Sequence, residues 1–285
     1  MAFFQWHRPS TVEEVHNLLS QYGSMAKLIA GGTALVLMMK QKLVQPEHLV
    51  SLARVDSFKG INVSDGCLHI GALTTHREVE TSKFVKEKAP LLSEAFRHVA
   101  TLRVREMATI GGGLVHADPA EDTPPALMAL DASVSLTSSG AERIVKVDEF
   151  FEDYYTSVID DEEVLTDVII PIPSGETKFG FKKFLPRTAD DYGTAIVAVA
   201  LKLDPFGKAT FIRIALGAAG SVPLRAYKAE KLLEGELITP ELIKEAAHSI
   251  KSEIDPIEDV RGSVKYKREM AAVFTERAIE QAITR

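Results

Sequence analysis

The feature that most constrains this chain is a pair of glycine-rich stretches, each preceded by a short apolar run. "KLIAGGTALVL" covers Lys27 to Leu37 and "ATIGGGLVHADPAED" covers Ala108 to Asp122. Glycine lacks a Cβ and reaches positive φ freely, so such stretches mark tight turns or close backbone approach. Neither has a standard nucleotide-loop spacing. Gly111-x-Gly113 is followed by His116 where a Rossmann fingerprint needs its third glycine, and no G-x-x-x-x-G-K-[ST] occurs. An ordinary NAD-binding dehydrogenase or ATPase is therefore disfavoured. What remains is bare backbone. Ala30-Gly31-Gly32-Thr33 presents four consecutive N–H groups and a hydroxyl, and Thr109-Ile110-Gly111-Gly112-Gly113 presents five more and another hydroxyl. Two such nests grip the two phosphates of a dinucleotide from two sides. The helix-opening run "TALVLMMKQ" adds a favourable dipole at the first. The competing reading is that each stretch is only a tight turn.

Length and composition bound the rest. With 285 residues, 46% of them hydrophobic and 26% charged, the chain reads as an ordinary globular protein of two domains or more. No apolar run approaches the roughly 18 residues a membrane span needs. "MAFFQWHRPS" lacks the parts of a signal peptide. One cysteine, Cys67, cannot build an internal disulfide, an iron–sulfur cluster or a cysteine zinc site, and a cytoplasmic location is expected. A formal charge of −7 gives a nucleic-acid partner no electrostatic support. His69, His76 and His116 match no zinc spacing, Cys67 reads as core, and the acidic run Asp118 to Asp122 reads as a loop and cap.

Periodicity outlines the elements. A helix is expected after Ser10 or Thr11, with Glu13 and Glu14 in its first turn, Val15, Leu18, Leu19 and Tyr22 on one face, and Gly23 as its stop. "AKLIAGG" and "HLVSLA" read as strands, making residues 1–55 a βαβ-like unit. "CLHIGALTTHREVE" reads as a strand entering a helix near Thr75. "APLLSEAFRHVATLRVREM" reads as helical in its first half. Asp122-Thr123-Pro124-Pro125 reads as a helix start capped by the aspartate. "ASVSLTS" and "ERIVKV" pair around Ser138-Ser139-Gly140, and "EVLTDVIIPIP" is another strand. A boundary is expected at Ile172 to Phe179. Beyond it "FGFKKFLP", "GTAIVAVALKLD" and "ATFIRIALGAAG" suit an antiparallel sheet, followed by three helices.

Five motifs then occur in order: "FFQWHRPSTVEEVHNLL", "LIAGGTALV", "ATIGGGLVHADPAED", "VPLRAYKAEKLLEGE" and "DVRGSVKYKREMAAV". Together they resemble the FAD-binding medium subunit of the xanthine dehydrogenase and carbon monoxide dehydrogenase (molybdenum hydroxylase) family, over nearly the whole chain. The resemblance implies an α+β fold: a two-subdomain FAD-binding unit of the vanillyl-alcohol-oxidase (PCMH) type, then a small C-terminal domain with an antiparallel sheet and helices. The expected limits are 1–175 for the FAD-binding domain (subdomains about 1–55 and 56–175) and 176–285 for the C-terminal domain. It implies FAD held by Leu28, Ile29, Ala30, Gly31, Gly32, Thr33, Ala34 and Leu35, and by Thr109, Ile110, Gly111, Gly112 and Gly113. Asp122 matches an acidic residue that bonds FAD hydroxyls. Leu165 matches a position near the adenine and Lys183 a lysine close to the flavin, where a cation stabilises negative charge on the reduced ring. For Lys183 the alternative role is an exposed strand lysine, with Lys182 pointing inward. Tyr192 is a candidate stacking partner.

The family usually has asparagine at Gly113, a polar or acidic residue at Ala34, and an asparagine–arginine pair at Glu106-Met107. Each difference removes a side-chain hydrogen bond and leaves backbone contacts. The implied function is an electron-transfer oxidoreductase subunit. A large molybdopterin-binding subunit oxidises the substrate, a small subunit carries [2Fe–2S] clusters, and FAD on this chain passes electrons to NAD+ or another acceptor. No catalytic residue and no metal ligand is expected on the chain itself. A stand-alone flavin oxidase and an FAD-less scaffold subunit are the alternatives. On this reading Gly32→Val sets a branched side chain against a phosphate and strips flavin while leaving the fold.

Overall fold

The computed structural model describes residues 4–188 and 190–285, so Phe3 of the first motif and Ala189 lie outside the described residues. The chain opens with a parallel three-stranded sheet of β1 (Gln5–His7), β2 (Ala26–Ile29) and β3 (His48–Ser51), in the order β1-β3-β2. Helix α1 (Val12–Tyr22) connects β1 to β2. Thr11 Oγ1 accepts from Glu14 N at 3.2 Å, Val15 and Leu19 are buried, and Gly23 ends the helix at φ 50°. Between β2 and β3 stands α2 (Leu35–Lys40). Strand β1 escapes a pattern reading because three edge residues are too few to show alternation.

An antiparallel sheet follows, with strands β4 (Ile61–Ser64), β5 (Cys67–Gly71), β6 (Ser133–Ser138) and β7 (Ala141–Lys146). Phe151–Asp153 (β8) and Thr156–Ser157 (β9) form a separate short ribbon, and β10 (Val164–Pro171) returns to the centre of the sheet, whose order is β4-β5-β10-β6-β7. Gly140, at φ 82°, turns β6 into β7. The long excursion from β5 to β6 carries α3 (His76–Thr81), α4 (Lys83–Lys88), α5 (Pro90–Arg97), α6 (Leu102–Arg105), α7 (Ile110–His116) and α8 (Pro124–Ala129). Thr75 and Glu78 form a capping box at the start of α3.

A second antiparallel sheet holds β11 (Lys178–Phe184), β12 (Ala195–Leu203), β13 (Ala209–Gly217) and β14 (Leu224–Arg225), in sequence order. It is covered by α9 (Tyr227–Leu233), α10 (Pro240–Ser249) and α11 (Val264–Thr284). Alternation along β12 makes it the hinge of the packing. Ile196, Ala198 and Ala200 face the core shared with the five-stranded sheet, while Val197, Val199 and Leu201 face the core under α11. A strand buried on both faces reads as a continuous apolar run, as "AIVAVAL" does. Helix α11 crosses β11 at Gly180, where a Cβ would overlap the carbonyl oxygen of Ala278. Gly180→Ala is therefore expected to destabilise the fold by about 1–3 kcal/mol, read as a lower urea midpoint.

Candidate functional site

The first glycine stretch leaves β2 as an open loop leading into α2. Gly32 sits at φ 71°, in the region that favours glycine. Gly31 is glycine for a different reason: its missing Cβ would overlap the carbonyl oxygen of Met107. Among the described residues the N–H groups of Gly31, Gly32 and Thr33 donate to no other group of the chain. Thr33 is exposed, and Ala30 and Ala34 are half-buried beside it. Since α2 spans only six residues, the loop offers individual N–H donors rather than a long helix dipole.

The second stretch departs from expectation. It is not a nest of free donors but the first turns of α7. Thr109 caps it, accepting from Gly112 N at 3.2 Å through Oγ1 and from Gly113 N at 3.0 Å through its carbonyl. Ile110 N donates to Thr74 O at 3.0 Å and Gly111 N to Ala72 O at 2.9 Å. Four of the five expected donors are thus used by the fold. Gly111 packs on Ala72, with 2.6 Å between the Ala72 Cβ and the place its own Cβ would take. What α7 presents instead is exposed backbone at one glycine. Gly112 is exposed, and a Cβ there would lie 3.8 Å from the Cβ of Ala30. The two stretches, 80 residues apart in sequence, therefore face one another. His76 supports this arrangement by donating from Nε2 to Thr109 O at 3.2 Å; burial pushes its pKa down to about 4, so the ring is neutral.

A buried polar cluster closes one side. The side chain of Lys183, at the end of β11, is only 1% exposed. Its ammonium donates to Asp122 Oδ2 at 2.7 Å and to His98 O at 3.0 Å. This settles which of the paired lysines turns inward, and it corrects the expected cap: Thr123 occupies that position before α8, and Asp122 bonds the lysine instead. Burial raises the Asp122 carboxyl well above the usual carboxylate range, against the pull of Lys183. Glu121 lies over Gly113, its pKa pushed up to about 8 by burial and then by Asp118 and Asp122. Three buried polar atoms in this neighbourhood have no partner among the described residues: Glu121 Oε2, Asp122 Oδ1 and Thr194 Oγ1. Thr194 follows Gly193, whose missing Cβ would lie 3.4 Å from Lys183 Cγ. On the outer side, Tyr155 Oη donates to Asp118 Oδ2 at 3.4 Å, and the Arg261 guanidinium lies 5.4 Å from the centre of the Tyr192 ring. Leu165 is set apart from this cluster, buried in the five-stranded sheet opposite Leu136.

Residues 2–173 match the model of the FAD binding domain in molybdopterin dehydrogenase, and residues 181–282 match that of the CO dehydrogenase flavoprotein C-terminal domain. The chain is 34% identical over 282 residues to the carbon monoxide dehydrogenase medium chain of Hydrogenophaga pseudoflava, covering 99% of this chain and 98% of that one. The chain belongs to the family of FAD-binding medium subunits of the molybdenum hydroxylases. It is also 33% identical over 278 residues to the glyceraldehyde dehydrogenase medium chain of Sulfolobus acidocaldarius, covering 98% of each. Its fold superposes on a chain of carbon monoxide dehydrogenase from H. pseudoflava with a TM-score of 0.96, at 36% identity and covering 99% and 98% of the two chains. On a chain of quinoline 2-oxidoreductase from Pseudomonas putida 86 the TM-score is 0.92, at 32% identity and covering 99% and 98%. The fold is accordingly the α+β two-subdomain FAD-binding unit of the PCMH type, with a smaller C-terminal domain of antiparallel sheet and helices.

The residues present suit the family's cofactor. Unused amides at Gly31, Gly32 and Thr33 match the needs of a phosphate, the exposed backbone at Gly112 admits close approach, and the unpartnered oxygens beside Lys183 match polar groups of a ligand. Sequence reasoning picked out Lys183 and Asp122 separately but not as a pair. It also passed over Glu121 and Thr194. The signal for Glu121 was its place in the run Asp118 to Asp122, which reads as an ordinary loop until the fold buries it. The reading of Gly32→Val changes as well. A Cβ at 32 would meet Ile29 and Val36 side chains at 3.2 and 3.3 Å, and the positive φ strains any side chain, so that variant tests the fold rather than a phosphate contact.

Glu121 and Asp122 bind protons more strongly in the folded chain than in the unfolded one. Their contribution to stability is therefore full below the ordinary carboxylate range and is lost as pH rises through the raised values. Buried neutral His76 acts in the opposite sense at lower pH, so a difference measurement is needed. In cofactor-free protein, the wild-type Tm minus that of Glu121→Gln is expected to fall steadily from about pH 5 to about pH 8. A difference that stays level or rises would contradict this assignment.

Proposed function

We propose that this chain is the FAD-binding electron-transfer subunit of a multisubunit molybdenum hydroxylase. The observation that carries the reading is the run of amides at Gly31, Gly32 and Thr33 that donate to no other group among the described residues, on a loop that faces the exposed backbone of Gly112. The Gly31–Thr33 amides and the Thr33 hydroxyl would bind the diphosphate. In the stretch from Thr109 to Gly113, the exposed backbone at Gly112 would let the cofactor approach closely, with the N–H groups of Ile110 to Gly113 already spent on the fold. Leu28, Ile29, Ala34 and Leu35 shape the first loop. Asp122 would accept from cofactor hydroxyls through its free Oδ1, while Lys183 holds the aspartate in place and sets a positive charge beside the flavin. Leu165 would pack toward the adenine.

Bound FAD supplies the chemistry, since it takes electrons singly and releases them in pairs. The partners in this proposal are a large molybdopterin-binding subunit, a small subunit with [2Fe–2S] clusters, and NAD+ or another acceptor. A cytoplasmic location and a division into 1–175 and 176–285 belong to the same proposal. The single cysteine accords with clusters carried on another chain. Val36, Leu37, Met107 and Val115 leave apolar surface exposed around the two stretches, as expected of a rim that a cofactor or partner covers.

The purified protein is expected to be yellow, to show flavin absorption bands, and to release a molecule with the mass of FAD on denaturation. Gly112→Val would set a branched side chain between the two stretches. A Cβ at 112 would also lie 2.8 Å from Thr109 Oγ1, the cap of α7, so the variant is expected to lower FAD affinity by at least about tenfold and to lower the cofactor-free Tm, which is measured beside binding. Full FAD occupancy in that variant would place the cofactor elsewhere.

A further inference from the structure

The geometry points to Glu121 as a cofactor-binding residue that reaches the face of α7 through the space left by the missing side chain of Gly113. This rests on the FAD reading above and adds to it a residue outside those assigned to the cofactor there. Along α7, Gly111 is buried on Ala72 and Gly112 faces Ala30. Gly113 leaves a space, and the Glu121 carboxyl fills it: a Cβ at 113 would overlap Glu121 Oε1 and lie 3.1 Å from Cδ.

The carboxyl is not a loose surface group. Its loop is fixed by Ala120 N donating to Asp118 Oδ1 at 2.9 Å and by Glu121 N donating to Asp118 O at 3.0 Å. Ala218 N donates to Pro119 O at 2.8 Å, tying the loop to the end of β13. Yet Oε2, shut off from water, bonds to nothing among the described residues, and neither does Oδ1 of the neighbouring Asp122, a residue only 5% exposed. Two adjacent carboxyls with unsatisfied buried oxygens destabilise a chain on its own. A ligand carrying hydroxyl or N–H groups relieves both. With its pKa raised to about 8, Glu121 is protonated near neutral pH and donates as well as accepts.

The test compares FAD dissociation constants, by quenching of flavin fluorescence, for wild type, Glu121→Ala, Glu121→Gln, Gly113→Ala and the double variant Gly113→Ala/Glu121→Ala. Melting of the cofactor-free proteins is followed in parallel. Glu121→Ala is expected to weaken FAD about tenfold, a buried hydrogen bond's worth. Gly113→Ala should do the same by pushing the carboxyl aside. The double variant should bind no worse than either single one, and Glu121→Gln should bind within about twofold of wild type. The cofactor-free Tm of Glu121→Ala should equal or exceed that of wild type, because an unsatisfied group has gone. The inference is overturned if wild type binds FAD and Glu121→Ala binds it equally well, or if the two single losses add. It is overturned too if the weaker binding comes with a lower cofactor-free Tm. Failure of wild type itself to bind FAD would instead remove the cofactor reading on which the inference stands.

Discussion

Gly31 touches the backbone of Met107 where any side chain would collide with its carbonyl oxygen, and the site depends on that contact. It holds the loop after β2 against the segment leading into α7. Together with the approach of Ala30 to Gly112 it makes two stretches from separate parts of the chain face one another. The contact needs no ligand. One glycine of the pair is required by close approach and the other by a positive φ, so the Gly-Gly sequence is explained by the fold alone. The cofactor reading rests on what the fold leaves unused, which is the row of amides that donate to nothing among the described residues.

A second constraint is electrostatic. Lys183 and Asp122 form a buried pair in which one carboxyl oxygen is bonded and the other has no partner among the described residues. Glu121 and Thr194 add further unpartnered atoms nearby. Buried polar groups are normally paired, and a protein that leaves several unpaired in one place sacrifices stability there. Such places are where bound ligands complete the hydrogen bonding. The surrounding cores are, by contrast, filled with aliphatic residues, and β12 is packed on both faces by alternation alone.

Much of the fold was legible because its signals are local. Thr11 and Thr75 cap helices, Gly23 stops one, Gly140 turns a hairpin, and "AIVAVAL" announces a strand. The candidate site was legible only as segments. Thr109 to Gly113 looks like a turn, because three glycines in a row disfavour a helix. Tertiary packing overrides that preference: Ala72 and Thr74 take the first N–H groups, the Thr109 hydroxyl and carbonyl take the next two, and the helix forms. The same cause displaced the expected cap at Asp122, whose carboxylate found a lysine 61 residues away rather than the adjacent helix.

The residues by themselves pointed to bare backbone at two places, ruled out an iron–sulfur cluster held by this chain's cysteines alone, and indicated an antiparallel sheet with helices in the C-terminal part. Those conclusions depend on spacing and residue type, which are properties of the linear chain. Only the tertiary structure decided which amides stay free, which lysine turns inward, and that Glu121 lies in the space left at Gly113. Each of those depends on competition between a local partner and a distant one. The winner is set by which groups the packing brings within hydrogen-bond reach.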